Sequence, residues 1–297
     1  MKIPLNISIK IIFLSLLRKI KSIIKSRFKR KQSKGVNKKR QVVSLNEVVQ
    51  TLSELGVSSG DVVIVHSGIS NLGKLEKGAV GLLKSLKEII GKEGALFLPG
   101  FRFNGTMKQF LDDNEVVDFQ KNSVKMGALS IKAVNDHDFK ESMHPTHTVL
   151  GYGEKSREML SKHQYSQSPF DEKSPFYLLS ESKGKIITIG VDLDKVTNFH
   201  VIEDQMLDEF PVPTYLDAEY EVLIRNLGKE YKVRTKCHNP DLSLVRNCER
   251  FHEEFIREGI MLKTPVGSSY IAVIDALKMN NFLREKAKSG YTIYGKV

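Results

Sequence analysis

Two short apolar runs, Val62-Val63-Ile64-Val65 and Ala95-Leu96-Phe97-Leu98, constrain the fold of this chain more than any other feature. Neither alternates with polar residues, so each reads as a strand buried on both faces. Between them, Lys77 to Ile90 carries apolar residues at helical spacing and stops at Gly91. Strand, helix and strand in that order make a parallel βαβ unit.

The pattern extends in both directions. Ser44 caps a helix that starts at Leu45, carries Val48, Val49, Leu52 and Leu55, and ends at Gly56. A third apolar strand spans Ile186 to Val191. Tyr220 to Arg225, Asn226-Leu227-Gly228 and Tyr231 to Thr235 form a hairpin signature. Helices are expected from about Leu242 to Glu258 and from Tyr270 to Ala287. The fold class is α/β, with a mixed, partly parallel sheet flanked by helices. Loops 100–125, 160–175 and 192–199 are long, as site-building loops often are.

The net charge of +11 belongs to one end of the chain. Residues 1–40 hold 14 Lys/Arg and no acid, which leaves 32 Lys/Arg against all 35 Asp/Glu in the remainder, a net of −3. A mildly acidic body argues against nucleic-acid binding, which would need a basic face of its own. The chain therefore divides at 1–40, a basic amphipathic helix and linker, and 41–297, the body. Over residues 9–28, Ile12, Phe13, Leu16, Leu17, Ile20, Ile23, Ile24 and Phe28 recur at helical spacing. Arg18, Lys19, Lys21, Lys25, Arg27 and Lys29 fill the other side. That pattern suits peripheral contact with an anionic membrane and equally a face that packs on protein, including a second copy. No run of about 20 apolar residues occurs, so a spanning helix is not expected. Two cysteines, Cys237 and Cys248, point to a reducing, cytoplasmic compartment, with the inner membrane face as the site of any peripheral contact.

Thr197-Asn198-Phe199-His200-Val201-Ile202-Glu203 follows a strand and a loop and opens a helix. His200 and Glu203, three apart, share a helical face. A carboxylate there orients the imidazole, whose pKa near 6.5 suits a general base. The same spacing also serves as a surface pair or a structural hydrogen bond. His144-Pro145-Thr146-His147 is a rigid turn carrying two imidazoles, readable as a ligand contact or as a loop that satisfies its own backbone. Cys237-His238 with Cys248 and His252 lacks the usual zinc spacing, and no metal is expected. His66-Ser67-Gly68 ends the first strand, where α/β folds commonly bind ligands, but without a nucleophile elbow. Asp192, Asp194, Glu203, Asp204, Asp208 and Glu209 cluster against Lys195 alone, a solvated face or the mouth of a cleft for a cation.

Taken in order, the segments resemble the aminoglycoside 3-N-acetyltransferase (antibiotic N-acetyltransferase) family. The matching stretches are His66 to Gly73, Gly78-Ala79, Gly91 to Pro99, Met126 to Leu129, His144 to Val149, Ser174-Pro175-Phe176, Lys185 to Gly190, Thr197-x-x-His200-x-x-Glu203 and, more weakly, Val266 to Ser269. The resemblance covers about residues 42–290. It implies acetyl-CoA as co-substrate in an extended cleft, with His200 as general base and Glu203 as its partner. It also implies a CoA wall built from His66, Ser67, Gly68, Leu72, Gly73, Ser123, Met126 and Gly127. Asp192, Asp204 and His147 are the expected contacts to an amine-bearing acceptor. The sequence departs from the family at Gly68, where a second Ser is usual, and at Glu141, where Arg often precedes the His-Pro turn. Three functions follow as expectations: acetylation of an aminoglycoside, N-acylation of an amino sugar of cell-surface polysaccharide, and a non-catalytic, membrane-tethered binding protein.

Overall fold

The computed structural model describes residues 2–28 and 41–297, except for the side chains of residues 18–28. The expected linker at 29–40 and the expected basic face of Arg18, Lys19, Lys21, Lys25, Arg27 and Lys29 lie outside the described residues. The helices that matter here are α1 (Leu5–Phe28), α2 (Leu45–Glu54), α3 (Gly78–Ile90), α4 (Ala128–Val134), α5 (Pro175–Glu181), α6 (Val201–Met206) and α7 (Ala276–Lys288). The strands are β1 (Val62–Ser67), β2 (Ala95–Pro99), β3 (Lys140–Glu141), β4 (Val149–Tyr152), β5 (Lys185–Ile189), β6 (Tyr215–Asn226), β7 (Lys229–His238), β8 (Met261–Val266) and β9 (Ser269–Asp275).

Seven strands form the main sheet in the order β8-β9-β5-β1-β2-β4-β3. Its centre, β5-β1-β2, is parallel, and every other pairing is antiparallel. The two apolar runs are thus adjacent, joined through α3. Alternate residues of each central strand enter different cores, as the two-residue period of a strand requires. Ile64, Phe97 and Ile186 join α5, α6 and α7 on one face. Val65, Leu96 and Ile187 join α2, α3 and α4 on the other. The mixed, helix-flanked sheet expected from the sequence is present.

Local signals explain several boundaries. The Ser44 hydroxyl accepts a hydrogen bond from the Glu47 amide at 3.0 Å and caps α2. Two expected helices are corrected. Tyr270 to Ile274 is strand β9, because its β-branched run pairs with β5 and β8; the helix starts only after Asp275, whose side chain caps it through the Lys278 amide. The segment 242–258 is two 3-10 turns, Pro240–Leu244 and Glu249–Phe251, followed by a short helix, His252–Arg257.

The hairpin of β6 and β7 is longer than the sequence signature and pairs with Val116–Asp118 in a second, three-stranded sheet. It carries a small core of its own, with Val117, Phe119, Val222, Ile224, Val233 and Cys237. Its register shifts between Lys236 and His238, opposite Tyr215. Such an irregularity re-aims the side chain at the strand end. Helix α1 begins at Leu5, four residues before the expected start. Ile7 is buried in the main core and Ile3, Ile11 and Leu14 pack beside it, whereas Ile12, Phe13 and Leu16 of the expected apolar face are exposed.

Candidate active site

His200 ends a 3-10 turn, Thr197–His200, that feeds directly into α6. Phe199 and Val201 on either side are buried in the core and anchor the turn. Both His200 and Glu203 are buried, and His200 Nδ1 lies 3.0 Å from Glu203 Oε1. The opposite ring nitrogen, Nε2, lies 3.1 Å from Nη1 of Arg246. A guanidinium only donates, so Nε2 accepts and Nδ1 carries the proton toward Glu203. Arg246 is held in turn by donating to the Asp194 carbonyl at 2.9 Å.

Glu203 is shared more widely than the sequence suggested. The Tyr294 hydroxyl donates to Oε1 at 2.6 Å, and His238 Nε2 lies 3.0 Å from Oε2. The β7 irregularity thus delivers a second imidazole to the same carboxylate. Burial pushes the Glu203 carboxyl up, but its contacts with His200 and His238 outweigh that and hold it at about 2. Burial lowers the His200 pKa; Glu203 offsets part of that, while His238 and Arg246 add to it. The imidazole is therefore neutral near pH 7, with its lone pair on Nε2.

His200, Glu203 and His238 also form a group with metal-ligand spacing, as do the more exposed Asp136, His137 and Asp138, among the described residues. In the first group, however, the His200 tautomer fixed by Arg246 leaves no lone pair on Nδ1, the nitrogen facing Glu203.

A cavity of about 320 Å³ opens over this constellation. Phe101, Phe103, Met107 and Met126 give it an apolar wall; His147, His200, His238 and Tyr294 give it polar edges; Lys195 and Arg246 are its lysine and arginine. A second cavity of about 330 Å³ is lined by Glu203, Asp204, Asp208, Asp217 and Glu219 against Lys236 alone. Thr214 lines both. Burial lifts the Asp204 carboxyl to about 6, against the opposing hydrogen bonds from Ser168 and Tyr215.

The residues singled out from sequence are distributed unevenly around these cavities. Met126, His147 and His200 line the first, and Glu203 and Asp204 line the second. Asp192 is exposed and borders neither. His66 and Leu72 are buried within the sheet and the second core, and Ser67, Gly68, Gly73, Ser123 and Gly127 lie off the cavity wall. Gly68 is crowded by Asn71, Val191 and the Gly190 carbonyl, so the serine usual in the family would require the Asn71 and Val191 side chains to shift. Gly127 approaches the Ser67 carbonyl and starts α4. Glu141, the other departure, is paired with the buried Arg102 at 2.5 Å, and that guanidinium lies 3.7 Å over the Phe119 ring. The chain therefore has a buried arginine beside the His-Pro turn, supplied from another segment. Arg246 and Tyr294 carried no local signal in the sequence. His238 was visible only beside Cys237, in a set whose spacing departs from that of zinc sites. Cys237 and Cys248 are both buried, and burial raises both thiols, Cys237 to about 11.

A family model described as aminoglycoside 3-N-acetyltransferase matches residues 64–288. The chain is 23% identical over 203 residues to an SPbeta prophage-derived aminoglycoside N(3')-acetyltransferase-like protein of Bacillus subtilis, covering 62% of this chain and 73% of the relative. It is 24% identical over 260 residues to aminoglycoside N(3)-acetyltransferase IX of Micromonospora chalcea, covering 81% and 92%. The solved binary complex of AAC-IIIb with CoASH shares the fold, with a TM-score of 0.67 at 19% identity over 82% of this chain and 95% of that one.

Proposed function

The chain belongs to the aminoglycoside 3-N-acetyltransferase family, and we propose that it transfers an acetyl group from acetyl-CoA to an amine of an aminoglycoside, with His200 as general base. The observation that carries this reading is the contact of His200 Nδ1 with Glu203 Oε1, which leaves Nε2 as the acceptor at the cavity. An ammonium must lose a proton before its nitrogen attacks a thioester. Nε2 takes that proton once the acceptor displaces Arg246, and the buried carboxylate of Glu203 stabilises the imidazolium that forms. The nitrogen bonds to the acetyl carbon, the carbon–sulfur bond breaks, and a proton returns to the departing thiolate. Burial raises both thiols, so neither cysteine is an activated nucleophile and direct transfer needs no acyl-enzyme.

The residues present fit the co-substrate. Phe101, Phe103, Met107 and Met126 would hold its acyl arm, and Lys195 and Arg246 supply positive potential for an anionic molecule. Ser67, Ser123 and Gly127, which lie off this wall, are proposed to contact the same co-substrate. The acidic second cavity, Asp204 included, suits further ammonium groups of a polyamine sugar. His147 is proposed to steer the acceptor at the apolar end of the first cavity. A second reading keeps the chemistry and changes the acceptor to an amino sugar of cell-surface polysaccharide handled at a membrane. The exposed apolar residues of α1 favour it. Among the described residues no helix is long and apolar enough to cross a membrane.

Thiol release from acetyl-CoA, followed across a panel of aminoglycosides and amino sugars, tests both readings. His200→Ala should lower turnover by roughly 10² to 10⁴ and leave CoA affinity within about twofold. Unchanged turnover would remove His200 as base.

A further inference from the structure

Helix α1 has two apolar faces, and only one of them is covered. Ile7, Ile11 and Leu14 recur every three or four residues and face the body, with Ile3 just ahead of the helix. Leu5, Ile9, Ile12, Phe13 and Leu16 recur at the same spacing on the opposite side of the helix. Their fractional exposures are 76%, 58%, 67%, 59% and 57%. Scattered exposed apolar residues need no explanation, but a continuous stripe of five large ones on one helix does.

We propose that this stripe docks on an anionic lipid surface. The sequence that follows it decides the occupant. Residues 18–40 contain 12 Lys/Arg, and the first acid of the chain is Glu47. An apolar stripe continued by cations matches the two layers of a bilayer interface, acyl chains below and anionic headgroups above. A second copy of the chain is the poorer occupant, because stripe-to-stripe pairing would bring two such cationic segments together.

The covered face gives the docking a consequence for the enzyme. It packs on the Pro240–Leu244 turn, and Pro240, Leu242 and Ser243 line the catalytic cavity. Asn6 Nδ2 also donates to the Lys296 carbonyl at 2.6 Å, close to Tyr294 in the chain. A bilayer seated on the stripe therefore lies about one helix diameter, roughly 10 Å, behind the cavity wall. An acceptor held at the membrane surface would be concentrated beside the catalytic residues.

The test is sedimentation of the full chain with vesicles of phosphatidylcholine, alone or mixed with phosphatidylglycerol. The expected result is binding to the mixed vesicles only, weakened roughly tenfold or more by Ile9→Glu with Phe13→Glu and by high salt. Both positions are exposed, so the thermal transition of the double variant should match that of the parent. Equal binding by parent and double variant would overturn the stripe as the docking element. Failure of the parent to bind, or self-association without vesicles that the same variant abolishes, would overturn the lipid surface. Acetyl transfer is read separately: binding without turnover leaves the docking standing and removes the proposed reaction, and the converse removes only the docking.

Discussion

Arg246 occupies the nitrogen through which His200 is proposed to act as base. The guanidinium both fixes the tautomer and, as a nearby cation, disfavours the imidazolium. Removing it should therefore raise the pKa of His200. In Arg246→Gln the acid limb of the kcat/KM profile should move to higher pH, by roughly half to one unit. A limb that does not move would mean that another group titrates there. The pair His200 and Glu203 was legible in the sequence because its spacing is local, one turn of a helix. His238, Arg246 and Tyr294 were not, because strand register, a 3-10 turn and the end of the fold bring them in from 35, 43 and 91 residues beyond Glu203. Local periodicity carries no information about contacts of that kind. The expected CoA wall illustrates a different limit of the sequence, which does not say whether a motif residue would act through its side chain or its backbone. The ordered motif His66 to Gly73 reads as a ligand loop, yet His66 and Leu72 spend their side chains in the interior.

At the scale of elements, that motif is held in place by its glycine. Gly73 has φ +132, and a Cβ there would run into the Gln41 carbonyl oxygen, whose partner is the Lys74 amide at 2.8 Å. Gly73→Ala should therefore cost about 2 to 4 kcal/mol in urea unfolding, from backbone strain together with a displaced segment. Gly60 has φ +84 but open space around it, so Gly60→Ala should cost only about 1 kcal/mol. Equal costs would show that conformation alone, and not the close approach of the chain, selects glycine at 73. Elements with strong one-dimensional signals were read correctly: the Ser44 cap, the central strands and the hairpin turn. The helix expected from Tyr270 failed because Tyr270-Ile271-Ala272-Val273-Ile274 is apolar throughout, and a short apolar run has no period to separate strand from helix. Sheet partners on both sides decided it.

For the whole molecule, buried imidazoles set the acid limit. Burial lowers His66 to about 4 and His163 to about 3, and takes His144 and His147 well below their usual 6.5. Between those values and 6.5 the unfolded chain binds more protons than the folded one, so stability rises with pH across that window and is complete above it. Asp204 acts in the other direction: its raised pKa favours folding below about 4 and loses that contribution as pH passes 6. With His200 lowered as well, one carboxylate against five imidazoles leaves the net slope positive. Urea midpoints should thus fall steadily from pH 6.5 toward pH 4, and a flat profile would mean that these rings are hydrated in solution. The β6–β7 hairpin adds a feature of another kind. Its core is small and separate from the two that flank the main sheet, so its amides should exchange with solvent through local opening rather than through global unfolding. Each such opening withdraws His238 from Glu203. The contact of His238 with Glu203 should therefore be shorter-lived than the fold itself, and faster exchange of the hairpin amides than of the central strands would be its signature.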